Sequence, residues 1–379
     1  MYEVQRADGV ASEKAILVRV ILPDRTAGDD PLDELTGLAK TAGTRIVSGL
    51  TQRREVPDVA TYLGKGKVKE LKSLVEHHDA DVVIFDNDLH PGQTRNLEQT
   101  LGIKVIDRTE LILDIFATSA QTYESRLAVE LAQLEYSLPR LKRMWTHLSR
   151  IKAGIGMRGP GEKQLEEDRR LVEKRIHDLR TELHGVERRK ERLVASRTDR
   201  LTVSLVGYTN AGKSTLMNAL TGAGVLAEDK LFATLDTRTR RWHLPSWGPV
   251  LLSDTVGFIR DLPHGLVAAF RATLEETVRA DLLLHVVDSA SPVRDQQAAE
   301  VDKVLAEIGA SGIPQILVWN KADASGLAPG VERDEYGRIR RVFLSARTGA
   351  GLAELRGAIA EAARTRQVRT PSPELISLQ

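Results

Sequence analysis

The sequence predicts an α/β protein in three parts: a small, largely parallel α/β domain over residues 1–119, a long antiparallel helical hairpin over 120–198, and a larger, mainly parallel α/β domain over 199–366, with 367–379 a disordered tail. Three observations predict it. Short β-branched runs alternate with helical patterns at both ends of the chain. Between them the apolar spacing switches to the four-three alternation of a coiled coil. A glycine-rich loop, GYTNAGKST at 207–215, stands between an apolar run and a helical one.

In the first part, AILVRVIL (15–22), RIVSGLTQ (45–52), DVVIFDN (81–87) and IKVIDR (103–108) read as strands. DELTGLAKTAG, KGKVKELKSLVEHH and GQTRNLEQTLG read as the helices between them. That alternation is the signature of parallel pairing with crossover helices.

From Leu127 the apolar residues fall at 127, 131, 134, 138, 141, 145 and 148, and a second seam runs through Leu165, Val172, Ile176, Leu179, Leu183, Val186 and Leu193. Between them KAGIGMRGPGEK (152–163), with four glycines and a proline, cannot continue a helix, so the two arms should fold back on each other. The second arm would be about 50 Å long at 1.5 Å per residue. Pro139 should kink the first arm. Arg140, Lys142, Arg143, Arg150, Lys152 and Arg158 gather near this turn against Glu162 alone. A glycine-rich tip can approach a nucleic-acid backbone closely, and its cations gain from counterion release, which makes Arg150, Lys152 and Arg158 candidate RNA contacts.

The last part reads as LTVSLVG, the glycine loop, PVLLSDT, ADLLLHVVD, QILVWNK and RVFLSA, with helical segments between several of them and a terminal amphipathic helix, GLAELRGAIAEAARTRQ.

With 54 Lys and Arg against 53 Asp and Glu the net charge is +1, so nucleic-acid binding must rest on local clusters. There is no cysteine, which excludes disulfides, a thiolate nucleophile and cysteine-bound zinc. MYEVQRADGV lacks the apolar core of a signal peptide, and no apolar run approaches the roughly 20 residues of a membrane span. The expectation is a cytoplasmic protein, monomeric, without DNA as a partner, any membrane association being peripheral.

The chemistry concentrates in four short motifs. Gly207, Tyr208, Thr209, Asn210, Ala211, Gly212, Lys213, Ser214 and Thr215 fit G-x-x-x-x-G-K-[ST]. The backbone N–H groups of such a loop cradle phosphates, the lysine places a charge on the β- and γ-oxygens, and the serine hydroxyl serves Mg²⁺. Asp254, Thr255, Val256 and Gly257 form an Asp-x-x-Gly element, the aspartate for Mg²⁺ and the glycine N–H for the γ-phosphate. Asn320, Lys321, Ala322 and Asp323 read the base: a carboxylate accepts from the N1–H and exocyclic amine of guanine, donors that adenine does not offer there. Lys321 would lie across the ring, Asn320 would tie this loop to the phosphate loop, and from Ser345-Ala346-Arg347 the N–H of Ala346 can donate to guanine O6. The ligand implied is GTP rather than ATP. Thr234, Thr237 and Thr239 in LFATLDTRTRRW are all candidates by type for the switch threonine, and spacing does not choose among them. After Gly257 stands Phe258, where a glutamine orients the attacking water in Ras-like enzymes.

FATLDTRTR, DTVGFIRDLP, RGPGEKQLEEDRR and ESRLAVELAQLEYSLPRL, taken with these motifs, resemble the HflX family of ribosome-associated GTPases, over residues 15–365. The resemblance implies a Mg²⁺-dependent GTPase acting on GTP to give GDP, with Lys213, Thr234 and Gly257 as its catalytic groups and nucleotide contacts extending through Phe232, Ala233, Thr234, Leu235 and Asp236. It implies Ser214 and Thr234 as direct metal ligands, Asp254 acting through water, and a hydrophobic residue such as Phe258 in place of the glutamine as the family norm. It further implies binding to the 50S subunit, including its RNA, and ribosome splitting, with hydrolysis stimulated by the ribosome. Met157 and Lys163 stand where threonines are usual in relatives, and many members carry a further domain after the point where this chain ends. Some members also bind ATP through the N-terminal domain, which gives a second reading, a GTP-gated RNA-remodelling module with ATPase activity there; residues 1–119 carry no recognisable ATP motif, since GKGKVKE (64–70) lacks the phosphate-loop spacing. His77, His78 and His90 have no partners at metal-ligand spacing.

Overall fold

The structure is a computed structural model, and it describes residues 10–23, 30–144, 160–195, 200–222, 230–245, 247–262 and 271–369. Two compact units divide the chain, one comprising 1–185 with 263–269 and the other 186–262 with 270–379.

The first unit holds strands β1 (Lys14–Ile21), β2 (Arg45–Arg53), β3 (Val82–Phe85) and β4 (Lys104–Asp107), all parallel in the order β2-β1-β3-β4. Helices α1 (Asp33–Thr41), α2 (Lys65–His78) and α3 (Pro91–Leu101) connect them, as the alternating pattern requires. Period-2 alternation sends Ile16, Val18 and Val20 into one core with Leu71, Val75 and Leu97. Arg19, of the opposite parity, joins a buried ionic network instead. Its Nε lies 3.3 Å from Asp86, Asp86 also accepts from Arg108 at 2.6 Å, and Arg108 pairs further with Glu34.

Helix α4 (Arg108–Ser119) was not foreseen. Its Leu111, Ile112, Leu113, Ile115 and Phe116 are all buried, so its apolar residues surround most of the axis and no clean 3.6-residue periodicity survives in the sequence. Asp107 caps it by accepting from the N–H of Glu110 at 3.0 Å. Burial pushes the Asp107 carboxyl up, against the pull of Arg140, and the Tyr136 hydroxyl donates to it.

The hairpin arms are α5 (Tyr123–Met144) and α6 (Pro160–Ala195). Side chains join them: Tyr123 donates to Glu182, Arg175 grips Glu130 through two bonds of 2.7 and 2.9 Å, and Arg180 reaches Glu135. The buried stripe follows the heptads at Leu127, Leu131, Ile176, Leu179 and Leu183. One expectation needs correction. Pro160 through Lys163 belong to the first turn of α6 rather than to the connecting loop, since proline at the start of a helix sacrifices an N–H that has no partner anyway. Pro139 lies inside the first arm, as expected, and α5 continues for five residues beyond it. Trp145, His147, Arg150, Lys152, Met157 and Arg158 lie outside the described residues.

The second unit is built on a seven-stranded sheet of β5 (Leu201–Gly207), β6 (Arg238–Leu244), β7 (Gly248–Asp254), β8 (Leu282–Asp288), β9 (Gln315–Asn320), β10 (Gly330–Arg333) and β11 (Ile339–Phe343). Its order is β10-β11-β9-β8-β5-β7-β6, parallel except for β10 and β6 at the two edges. Helices α7 (Lys213–Thr221), α8 (Arg271–Val278), α9 (Arg294–Glu307), α10 (Ala322–Ser325) and α11 (Leu352–Arg369) complete it. Leu205, Leu216, Leu252, Leu284, Val318 and Leu355 pack into one core. Helix α11 extends to Arg369, three residues into the stretch read as a tail, and residues from 370 lie outside the described set.

Candidate nucleotide-binding site

The four motifs all follow the carboxyl ends of neighbouring strands. GYTNAGKST leaves β5, Asp254 ends β7, Asn320 ends β9 and Ser345 follows β11, so a parallel sheet alone brings together residues more than a hundred positions apart.

The phosphate loop is closed on itself. Lys213 is buried and its Nζ donates to the carbonyls of Gly207 and Tyr208 at 3.1 and 3.0 Å. Burial pushes its pKa down to about 8, partly offset by Asp254. Gly212 has φ +92°, and a Cβ there would stand 2.3 Å from the Asn320 amide, so glycine is required on both conformational and steric grounds. A narrow cleft of about 50 Å³ is lined by Thr209, Asn210, Gly212, Lys213, Ser214 and Thr215 from this loop, Ala233 and Thr234 from the switch segment, and Thr255 and Gly257 beyond β7.

Thr234 is the threonine that reaches this cleft. Its Oγ1 lies 2.9 Å from Ser214 Oγ and 3.3 Å from Asp254 Oδ2, and Ser214 donates to the same Oδ2 at 2.6 Å. Thr239 is spent elsewhere, bonded to Ser253 on β7 and to Glu276 on α8. Burial raises the Asp254 carboxyl above its ordinary range, with Lys213 opposing, and Asp254 Oδ1 is buried without a hydrogen-bond partner among the described residues. Two hydroxyls and a carboxylate with an orphaned oxygen are hard donors of the kind Mg²⁺ selects. These three side chains would hold the ion, with phosphate oxygens completing the shell.

Phe258 is fully buried and its backbone forms a parallel bridge with Tyr208: its N–H donates to Gly207 at 3.1 Å, and its carbonyl accepts from Thr209 at 2.7 Å. Gly257 sits tight against the loop, since a Cβ there would meet Thr209 Cα at 2.7 Å. Sequence reading missed this splice, because backbone pairing outside regular strands leaves no periodic trace. Phe232 is buried and lines the same cleft, Leu235 and Val256 are buried, and Asp236 is half-buried.

On the base side, one amide joins three loops. Asn320 Nδ2 donates to Ala211 O at 2.9 Å and its Oδ1 accepts from the Ala346 N–H, also at 2.9 Å. The Ala346 N–H is therefore engaged, and donation to guanine O6 would be shared with this bond. Lys321 adopts φ +62° and pairs with Asp288 at 2.8 Å. Asp323 faces Arg347 at 2.6 Å, and the Ser345 hydroxyl first, with Arg347 after it, holds its carboxyl below the usual carboxylate range. Ala322 and Ser345 are buried supports. Trp319, one residue before Asn320, has the Arg294 and Arg341 guanidiniums 5.1 and 4.6 Å from its ring centre, with Phe343 edge-on at 5.5 Å. No group of three or more His, Cys, Asp or Glu able to hold a metal occurs among the described residues, and no helix is long and apolar enough to cross a membrane.

Comparison with known proteins agrees with this geometry. Family models described as GTP-binding GTPase N-terminal, GTP-binding GTPase Middle Region and 50S ribosome-binding GTPase match residues 29–117, 119–197 and 202–321. The chain is 50% identical to the GTPase HflX of Escherichia coli over 93% of its own length and 83% of the relative's. To the GTPase HflX of Caldanaerobacter subterraneus it is 48% identical, over 92% and 80%. A crystal structure described as the SsGBP and GDP complex matches with a TM-score of 0.51 and 26% identity, covering 93% of this chain and 99% of that one. A phosphate loop, a metal-fitting hydroxyl pair and the Asn320–Asp323 loop on one sheet edge thus coincide with near-complete alignment to named relatives: the chain belongs to the HflX family of GTPases.

Proposed function

We propose that this chain is a GTP-hydrolysing switch that docks on the large ribosomal subunit in its GTP form, splits or rescues stalled ribosomes, and is released after ribosome-stimulated hydrolysis. In this reading Lys213 neutralises the β- and γ-oxygens, the Gly257 N–H meets the γ-phosphate, and Ser214, Thr234 and Asp254 hold Mg²⁺. The ion would supply charge neutralisation of the phosphates. Asp323 reads guanine, with Lys321 over the ring and Asn320 fixing the loop. The loop at 152–163, with Arg150, Lys152 and Arg158 at and beside it, would meet ribosomal RNA. The description of the family model over 202–321, 50S ribosome-binding GTPase, supports the partner.

The observation that carries the reading is Phe258. Its side chain is in the core and its backbone is committed to the phosphate loop, so no side chain at this position can orient a water. Intrinsic turnover should be slow and completed from outside. Single-turnover GTP cleavage with and without purified 50S subunits tests this. Stimulation of about 10³-fold or more, the range that external partners give related enzymes, is expected. Equal rates in the two arms would overturn the proposal.

A further inference from the structure

Thr209 is a residue at which both switch segments meet the phosphate loop. Its N–H donates to Phe258 O at 2.7 Å, which fixes the chain immediately after Gly257. Its Oγ1 accepts from the Phe232 N–H at 2.8 Å, which fixes the chain two residues before Thr234. The Phe232 end of this bond is held in place: the residue has φ +57° and is 2% exposed, so its N–H is aimed by a backbone conformation that non-glycine residues seldom adopt. Thr209 itself is 6% exposed and lines the same cleft as Lys213, Thr234 and Gly257.

A threonine hydroxyl has one proton to give and two lone pairs to receive with. Here one lone pair is taken by Phe232, while the proton has no acceptor among the described residues, and the side chain borders the cleft in which Lys213 and Gly257 would receive the terminal phosphate. A hydroxyl that accepts from one group donates more strongly to the next, because the bonds polarise each other. The geometry points to Thr209 as a positioning residue that couples the terminal phosphate to both switches, its hydroxyl donating to a γ-oxygen while accepting from the Phe232 N–H and so holding Thr234 at the metal. Regular motif reading assigns this position only backbone contact with phosphate, because the third residue of the loop is unspecified in the pattern.

The inference rests on the GTP-switch reading but not on the ribosome, and its test uses the free protein. Thr209→Val keeps the β-branch and the backbone N–H while removing the hydroxyl, and Thr209→Ser restores the hydroxyl without the methyl. Affinities for fluorescently labelled GDP and for a labelled non-hydrolysable GTP analogue are measured over a Mg²⁺ titration. The valine variant should retain GDP affinity, lose about tenfold in its preference for the triphosphate, as expected for a bond to a charged acceptor, and need more Mg²⁺ for half-saturation of that preference. Serine should restore both. A valine variant with the wild-type triphosphate preference and Mg²⁺ response would overturn the assignment. So would one that loses GDP and GTP affinity in equal measure, since that is what damage to the loop alone would do. Failure of 50S subunits to stimulate the wild type would leave this measurement intact.

Discussion

The chain buries charge in two places and treats it in opposite ways. In the first unit, Arg19 and Arg108 close on Asp86, and Arg108 reaches on to Glu34, so cations and anions satisfy one another. In the nucleotide site, Lys213 is equally buried but bonds only neutral carbonyls, and Asp254 keeps one oxygen unsatisfied. The consequence is that burial disfavours both charged forms, pushing the Lys213 ammonium down to about 8 and the Asp254 carboxyl up. Paired burial builds a rigid unit, whereas unpaired burial stores affinity for whatever ligand supplies the missing charges.

Breaking the paired network should give the largest effect. Arg108→Ala should cost about 3–5 kcal/mol of stability, because Asp86 and Glu34 lose a shared cation, and chemical denaturation of the whole chain should show it while guanine-nucleotide affinity of the folded fraction stays at wild type. A smaller loss than that of an exposed pair would mean that the network is redundant.

Lys213→Ala sharpens the other side. Single-turnover hydrolysis should fall by about 10²–10³-fold, as when a preorganised donor is removed, yet thermal stability should be unchanged or higher because a desolvated cation has gone. A fall in melting temperature would show that the lysine supports the fold after all.

Phe258→Gln comes next. An amide in that fully buried position would lack partners and cost about 1–3 kcal/mol, without raising intrinsic hydrolysis. A glutamine variant that cleaves GTP alone as fast as the wild type does on 50S subunits would show that the side chain, not the partner, was the deficit.

The smallest effect is a pH dependence. Below about 8 the unliganded Lys213 is already charged. Above it, phosphate binding must take up a proton, so nucleotide affinity should fall as pH rises, by up to about tenfold per unit. For folding the sign is opposite: the unfolded chain binds this proton more tightly, so the lysine's cost to stability is full below about 8 and fades toward its ordinary value of 10.5. Calorimetric titration in buffers of different ionisation enthalpy counts the protons taken up, and a flat profile between pH 7 and about 9.5 would remove Lys213 from the phosphate contact.

What could be read from the chain alone follows the same division. Lys213, Ser214, Asp254, Asn320 and Asp323 were legible because function places them at fixed offsets from glycine and from strand ends, and those offsets survive without any knowledge of the fold. Which threonine reaches the cleft was not legible from spacing, since Thr234 and Thr239 share a residue type and a segment, and the packing of β6 against β7 takes Thr239 away. Edge strands β6 and β10 were missed because RTRRWHL and GVER carry few apolar residues, as edges do. Arg19 and Arg108 lie in the runs AILVRVIL and IKVIDR, and nothing in a linear pattern announces that they meet. His285, buried in the middle of β8 with neither ring nitrogen hydrogen-bonded, is a similar case: burial and Lys213 hold it below the ordinary histidine range despite Asp302 at 3.7 Å, and its only trace in the sequence is a polar letter within LLLHVVD.

The indole of Trp319 carries an optical consequence. It is one of four tryptophans in the chain, and two guanidiniums lie over it directly before the asparagine that bonds to the phosphate loop. Emission from such a ring depends on the nearby positive charge and on how tightly its neighbours are held. Lys321 and Asp323, against which a guanine would seat, lie two and four residues beyond that ring, so the unmodified protein should signal base occupancy by its own fluorescence. Ribosome binding could then be followed separately, in another channel, on the same sample.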